Sequence, residues 1–336
     1  MNSLSNKITR NMLVIMAVLT TSPYAISAPE ARDIISQPVP SKIMPFAEKA
    51  RFIAFAKSSK SLIAVGERGI ILLSDDGVKW IQQQSPVDVT LTSVIFETES
   101  RVWAVGHGAT ILRSDDGGRQ WKIVNYDPKS AEYYLKIAAH GERIYVIGTD
   151  GQWLTSNDIG QSWVKSELLE VVTDPTSLSN LFSIAFGKNN AEVISAERGG
   201  IFFRPNADAQ WTSIKSPYNG SFFGVQAIGD NFILYGMSGH AFLFNTESQT
   251  WKEIQTQSKE FILDSTSIPI DGREDTILVG RGGLVIRVDT EGNIINEHFR
   301  PDQAAITAIM YKDEYIYIAT MRGGVVREEV STFLKK

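Results

Sequence analysis

The sequence predicts an all-β fold, a seven-bladed β-propeller of four-stranded antiparallel blades. Three observations predict it: a self-similar unit that recurs about every forty residues, four short strand-like runs inside each unit, and almost no helical periodicity.

The repeat is plainest in three segments. Ala64-Val65-Gly66 leads through Ser74-Asp75-Asp76-Gly77 to Trp80; Ala104-Val105-Gly106 through Ser114-Asp115-Asp116-Gly117-Gly118 to Trp121; and Val146-Ile147-Gly148 through Ser156-Asn157-Asp158-Ile159-Gly160 to Trp163. In each, the serine lies eight residues after the glycine. Weaker copies follow at Ala196, Gly236, Gly280 and Thr320, giving spacings of 40, 42, 48, 40, 44 and 40 residues, the period of a propeller blade. In the second unit the four strands are expected at Leu91–Phe96, Arg101–Val105, Thr110–Arg113 and Trp121–Val124, with glycines and aspartates between them where turns need them. The seventh unit lacks an evident fourth strand after Arg327. Asp33–Val39, which resembles the end of a fourth strand, is expected to complete that blade and remove an exposed edge. Val330–Leu334 is the competing source of that strand.

The serine-to-tryptophan segments fit Ser-x-Asp-x-Gly-x-x-Trp. The fit is complete over 114–121 (Ser114, Asp116, Gly118, Trp121) and 156–163 (Ser156, Asp158, Gly160, Trp163), and one residue short at Ser74, Asp76 and Trp80. Serine and aspartate can tie down the backbone of a tight turn, glycine permits positive φ, and tryptophan packs back on the blade. The pattern resembles the Asp-box, or bacterial neuraminidase repeat, a structural device that lies away from the active face in known propellers. Two families that share it imply different functions. Resemblance to sialidases implies an arginine triad, a tyrosine nucleophile with a glutamate, and an aspartic acid, hence an exo-glycosidase. The Phe-Arg-Ile-Pro-like sequence expected near the start is absent, since Val39–Pro45 carries no arginine. Over essentially the whole mature chain, and best at Ala64–Trp80 and Ala104–Trp121, the repeat is similar to the photosystem II stability and assembly factor propellers. That resemblance implies a non-catalytic, chaperone-like platform for membrane proteins that uses a cluster of arginines for contact. Bacterial relatives of this kind point to an envelope complex, with an RND-type exporter as the specific candidate.

Composition sets further bounds. A net charge of −5 argues against nucleic-acid binding, and the absence of cysteine excludes disulfides, thiolate metal sites and an N-terminal lipidated cysteine. Lys7 and Arg10, the short apolar run Met12–Thr20 and the small residues of Ala25-Ile26-Ser27 read as a signal peptide over 1–27, without a twin arginine. The expectation is Sec-type export and a periplasmic, monomeric propeller over 28–336 from a non-photosynthetic bacterium. The apolar run is too short to span a bilayer, so no membrane insertion is expected after signal removal.

Candidate site residues follow from topology. The turn between the second and third strands emerges on the face opposite the Asp-box turn, and carries Arg68, Arg198, Arg281 and Arg322; Arg300 lies in a connection on the same face. Blades one, six and seven become neighbours on closure, so the arginines converge as a carboxylate- or phosphate-binding patch. Pairing with adjacent acids such as Glu67 and Glu197 is the alternative. The long connection Lys165–Asn180 projects from this face, as a binding loop or a tolerated insertion. His107, His140, His240 and His298 have no metal-ligand spacing, and Asp75-Asp76 and Asp115-Asp116 are accounted for by the Asp-box, so no metal or cofactor is expected.

Overall fold

The computed structural model describes residues 37–165, 179–270 and 272–335. The chain forms seven antiparallel sheets, each ordered in sequence from an inner to an outer strand. Six have four strands, and the seventh has three among the described residues. The inner strands are Phe52–Lys57, Leu91–Phe96, Tyr134–His140, Leu181–Phe186, Phe222–Ile228, Ile262–Ile270 and Ile306–Lys312. Each packs beside the next, and the first packs beside the last, so the sheets close into a seven-bladed propeller. The second blade, at Leu91–Phe96, Val102–Gly106, Thr110–Ser114 and Lys122–Asn125, lies within a residue of the strands expected from sequence.

Burial explains the composition of the strands. A second strand has a neighbouring blade on both faces, so Leu62–Gly66 and Val102–Gly106 are buried throughout and continuously apolar. The outer strand Lys122–Asn125 is mostly exposed and carries Lys122 and Asn125 at its ends. The core is therefore a set of wedges between blades. One joins Ile63, Val65 and Ile71 of blade 1 to Leu91, Val94 and Leu112 of blade 2. The closing wedge joins Phe52, Ala64 and Leu72 to Ala308 and Ala319 of blade 7.

The Asp-box turns are built as the motif requires. Ser114 Oγ accepts the Gly118 N–H at 2.9 Å and donates to Asp116 Oδ1 at 2.8 Å; that oxygen accepts the N–H groups of Arg119 and Gln120 at 3.1 and 2.8 Å. Ser156 and Asp158 repeat the arrangement around Gly160, Gln161 and Ser162, and Ser74 and Asp76 around Gly77, Val78 and Lys79. In the weaker repeats Asn206, Asn245 and Asp289 cap the same turn.

The tryptophan folds back on its own blade, as Trp80 does on Phe55 at 6.4 Å and Trp251 on Phe244 at 4.7 Å, and the motif also reaches the preceding blade. Gly160 has φ +75°, and a Cβ there would enter the buried ring of Trp103 in the preceding blade. Gly118 bears on Ile63 and Gly77 on Tyr317 in the same sense. The tryptophans follow: Trp163 meets Trp103 edge-on at 5.8 Å, Trp211 meets Trp153 at 5.0 Å, and Trp80 meets Tyr317 at 6.4 Å across the ring closure.

Of the segment expected to close blade 7, Asp33–Ser36 lies outside the described residues, and Pro38 and Val39 are irregular. Just beyond, Ser41 and Met44 are held on blade 1: the Ser41 N–H donates to Ser85 O at 3.0 Å and the Met44 N–H to Gln82 Oε1 at 2.8 Å. The competing segment does not supply the strand. Val330–Phe333 is a short helix, and Phe333 is buried in the wedge between blades 6 and 7.

Candidate binding face

One hydrogen bond recurs in all seven blades and defines a face. The first residue of the turn between the second and third strands donates its N–H to the carbonyl just ahead of its own inner strand. The pairs are Glu67 to Arg51, His107 to Thr90, Thr149 to Tyr133, Glu197 to Asn180, Met237 to Ser221, Arg281 to Phe261 and Met321 to Ala305, at 2.9–3.2 Å. These turns and the entries to the inner strands therefore share one end of the propeller. The repeat glycine has a steric cause here: a Cβ on Gly66, Gly106, Gly148, Gly236 or Gly280 would strike the same carbonyl.

Arg68, Arg198, Arg281 and Arg322 are all exposed on this face. Arg68 and Arg198 occupy the left-handed position of their turns, at φ 56° and 55°, where most side chains are disfavoured. Among the described residues none of the four makes an ion pair, and Glu197 is engaged by the Asn180 N–H instead. Arg281 lies over the Phe261 ring at 5.2 Å. Arg322, Arg281 and Arg68 come from consecutive blades around the closure, whereas Arg198 is on blade 4, with blade 5 presenting Ser238 between.

Arg300 does not join them at the surface. Only 7% exposed, it bonds to Glu328 at 2.8 Å, approaches Asp302 at 3.5 Å and lies over Phe333 at 5.8 Å. Burial favours its neutral form, but these carboxylates outweigh burial and hold the guanidinium firmly charged. Of the Lys165–Asn180 connection, residues 166–178 lie outside the described residues. Among the described residues no cluster of three metal-ligating side chains occurs, and three histidines stack on aromatic neighbours: His107 on Tyr133 at 4.5 Å, His140 on Phe186 at 4.8 Å and His240 on Tyr218 at 4.2 Å.

Sequence reading missed a second feature of this face. Every inner strand carries a β-bulge at its second residue, between a first and a third residue that pair normally. The first residue is buried in each case, and the bulged one is turned partly outward. The bulged residues are Ile53, Thr92, Leu135, Phe182, Phe223, Leu263 and Thr307. The two threonines are spent on joining blades: Thr92 Oγ1 donates to Tyr134 O at 2.5 Å and Thr307 Oγ1 to Phe52 O at 2.9 Å. Blades 3 to 6 present only apolar side chains here. Phe182 meets Phe223 edge-on at 5.5 Å, and Phe223 meets Phe261 at 5.7 Å.

One residue further along the strands the lining turns polar. Asp264 Oδ2 accepts the Ile309 N–H of blade 7 at 2.8 Å, and burial pushes its carboxyl up, opposed by the Lys136 ammonium and by backbone N–H groups. Gln226 bonds to Ser265 and Ser267, and Ser265 to Tyr235, so blades 5 and 6 are joined by side chains where no strand pairing exists. On the opposite end, between blades 3 and 4, Tyr145, Glu192 and Arg204 form a network with bonds of 2.6–3.3 Å. It has the residue types of a sialidase nucleophile site, but Glu192 is 0% and Tyr145 1% exposed, so no sugar reaches it.

The chain is a closed ring of seven blades, with Asp-box turns in blades 1 to 3 and with exposed arginines and an apolar arc on the face away from those turns. Comparison with known proteins gives its family. The model of the photosynthesis system II assembly factor Ycf48 family matches residues 72–321, and the chain belongs to that family. The photosystem II assembly lipoprotein Ycf48 of Synechococcus sp. (strain CC9902) is 25% identical over 226 residues, 63% of this chain and 61% of the relative. The photosystem II assembly protein Ycf48 of Synechococcus sp. (strain JA-2-3B'a(2-13)) is 27% identical over 195 residues, 55% of this chain and 56% of the relative. The chain thus spans less than two thirds of either relative. Among solved structures, Ycf48 bound to a D1 peptide aligns with TM-score 0.67 at 17% identity, covering 93% of this chain and all of that one. Ycf48 from Cyanidioschyzon merolae aligns with TM-score 0.66 at 16% identity, over 86% and 98%. At such identities these two matches speak for the fold. The named relatives are photosystem II assembly proteins.

Proposed function

We propose that the protein is a non-catalytic assembly platform that acts in the periplasm and holds a segment of a membrane or envelope protein complex on its arginine face. An RND-type exporter is the specific partner to test first. The observation that carries the reading is the set of four exposed arginines with no carboxylate partner, two of them in a backbone conformation that costs of order 1 kcal/mol for a non-glycine residue. Guanidinium groups so placed suit bidentate capture of carboxylates. Family membership supports an assembly role, and one solved family member is described as bound to a D1 peptide.

The test is capture from detergent-solubilised envelope, comparing the mature chain with Arg281→Glu/Arg322→Glu. A membrane protein enriched by the first and lost by the second supports the reading; equal capture by both refutes it. Turnover of a fluorogenic sialoside above a heat-killed control would restore the glycosidase alternative. Export is checked separately, by intact mass: a soluble periplasmic chain should begin near Ala28.

A further inference from the structure

We propose that the bulged apolar arc of blades 4 to 6 is an anchor pocket for one aromatic or branched side chain of the bound segment, so that the ligand is an acidic extended peptide interrupted by an apolar residue. The inference rests on the binding-face reading above and adds what that face selects. Phe182 and Phe223 stand at equivalent bulges of neighbouring inner strands and touch at 5.5 Å; Phe261 continues the surface from Phe223 at 5.7 Å. Arg281 lies on Phe261 at 5.2 Å, so the cationic and aromatic surfaces are continuous. A ligand satisfying both carries a carboxylate beside an apolar group.

Two further features bear on the choice of occupant. At the first residue of each inner strand the apolar side chain is buried between blades, as Leu181, Phe222 and Ile262 are at 1%, 0% and 0% exposure. The bulged residues are thus surplus to the wedges of core, and the bulge is what turns them outward. Deeper along the strands, Lys136 and Asp264 replace apolar residues, which confines the anchor to the rim. Arg198 and Arg281, the exposed arginines flanking the arc, have no carboxylate within ion-pair distance among the described residues, which favours an acidic peptide over a neutral apolar one.

Two synthetic decapeptides test the idea by titration calorimetry, each with four glutamates, one with a central phenylalanine and the other with serine in its place. The wild-type chain should prefer the phenylalanine peptide by roughly tenfold or more, the usual scale for one buried aromatic anchor. In Phe182→Ser/Phe223→Ser that preference should fall to near one, while Phe223→Leu should keep most of it; thermal melts verify that both variants are folded. Arg281→Gln/Arg322→Gln should weaken both peptides together. Equal binding of the two peptides by the wild type, or a preference that survives the double serine variant, overturns the anchor pocket and leaves the arginine reading standing. A preference that follows the phenylalanines while the arginine pair has no effect overturns the arginine reading and keeps the pocket. Failure of both peptides to bind overturns both.

Discussion

Replacing Arg300 by alanine separates a structural arginine from a contact arginine. Its guanidinium is 2.8 Å from Glu328 and packs over Phe333, with the side chains of Arg300 and Glu328 only 8% and 13% exposed. Truncation removes the Arg300 cation from the mostly buried Glu328 carboxylate, and removing one partner of a buried pair costs about 3–5 kcal/mol. Loss of the contact with Phe333 also loosens the C-terminal helix, whose Leu334 carbonyl accepts from Asn296 Nδ2 at 2.7 Å. Urea unfolding followed by tryptophan fluorescence should show a midpoint shift of that size with little change in slope. Arg300→Met/Glu328→Leu should recover most of the loss, because paired apolar replacement removes the stranded charge along with the pair. Arg281→Ala, at an exposed and unpaired site, should stay within about 0.5 kcal/mol of wild type. A loss below about 1 kcal/mol for Arg300→Ala, or a double variant no more stable than the single one, would refute the buried-pair argument.

Three further outcomes are expected. Reversing Arg281 and Arg322 should weaken partner capture, with desolvated pairs each contributing about 2–5 kcal/mol and rim charges mainly the association rate; Arg119→Glu, on the Asp-box face and paired to Asp75 at 3.2 Å, should not, and equal loss there would mean non-specific charge. Gly160→Ala should cost about 2–4 kcal/mol in thermal unfolding, the sum of a strained φ and an overpacked Trp103, whereas Gly141→Ala, with open space around it, should show only the backbone part. Acid titration of stability should divide two aspartates. The turn hydrogen bonds, with Ser162 foremost, hold Asp158 down to about 2, so its contribution is present above its ordinary value of 3.8 and lost as pH falls from there towards 2; Asp158→Asn should flatten that limb. Burial raises Asp264, so its contribution is present below 3.8 and lost as pH rises through the elevated value; Asp264→Asn should gain stability relative to wild type at neutral pH, and a loss there would contradict the sign.

The repeat made the blades and their faces legible. The serine and aspartate hydrogen bonds act within one turn, so the sequence carries the information that the turn itself needs, and the strands of blade 2 lie within a residue of expectation. Features that depend on the neighbouring blade were hidden. Arg300 was grouped with the surface arginines because its backbone lies on their face, bonded to Gly283 O at 2.9 Å, while its side chain descends between two sheets. Phe182 and Phe223 look like ordinary strand residues, since a bulge leaves no mark in an apolar run such as Leu181-Phe182-Ser183-Ile184. Asp264 is likewise inconspicuous in a serine- and threonine-rich strand, and only in the closed ring does its half-buried carboxylate meet the Ile309 N–H of blade 7.

The lean of each Asp-box turn on the blade before it gives the ring a sense of rotation. Blade 2 can seat its turn on Ile63, and blade 3 on Trp103, as soon as those residues have been synthesised. Blade 1 has no earlier blade to lean on. Its Gly77 and Trp80 meet Tyr317, some 240 residues later in the chain. A chain with its first six blades formed therefore has every turn but the first seated on a neighbour, and the first turn meets Tyr317 only when the seventh blade closes the ring.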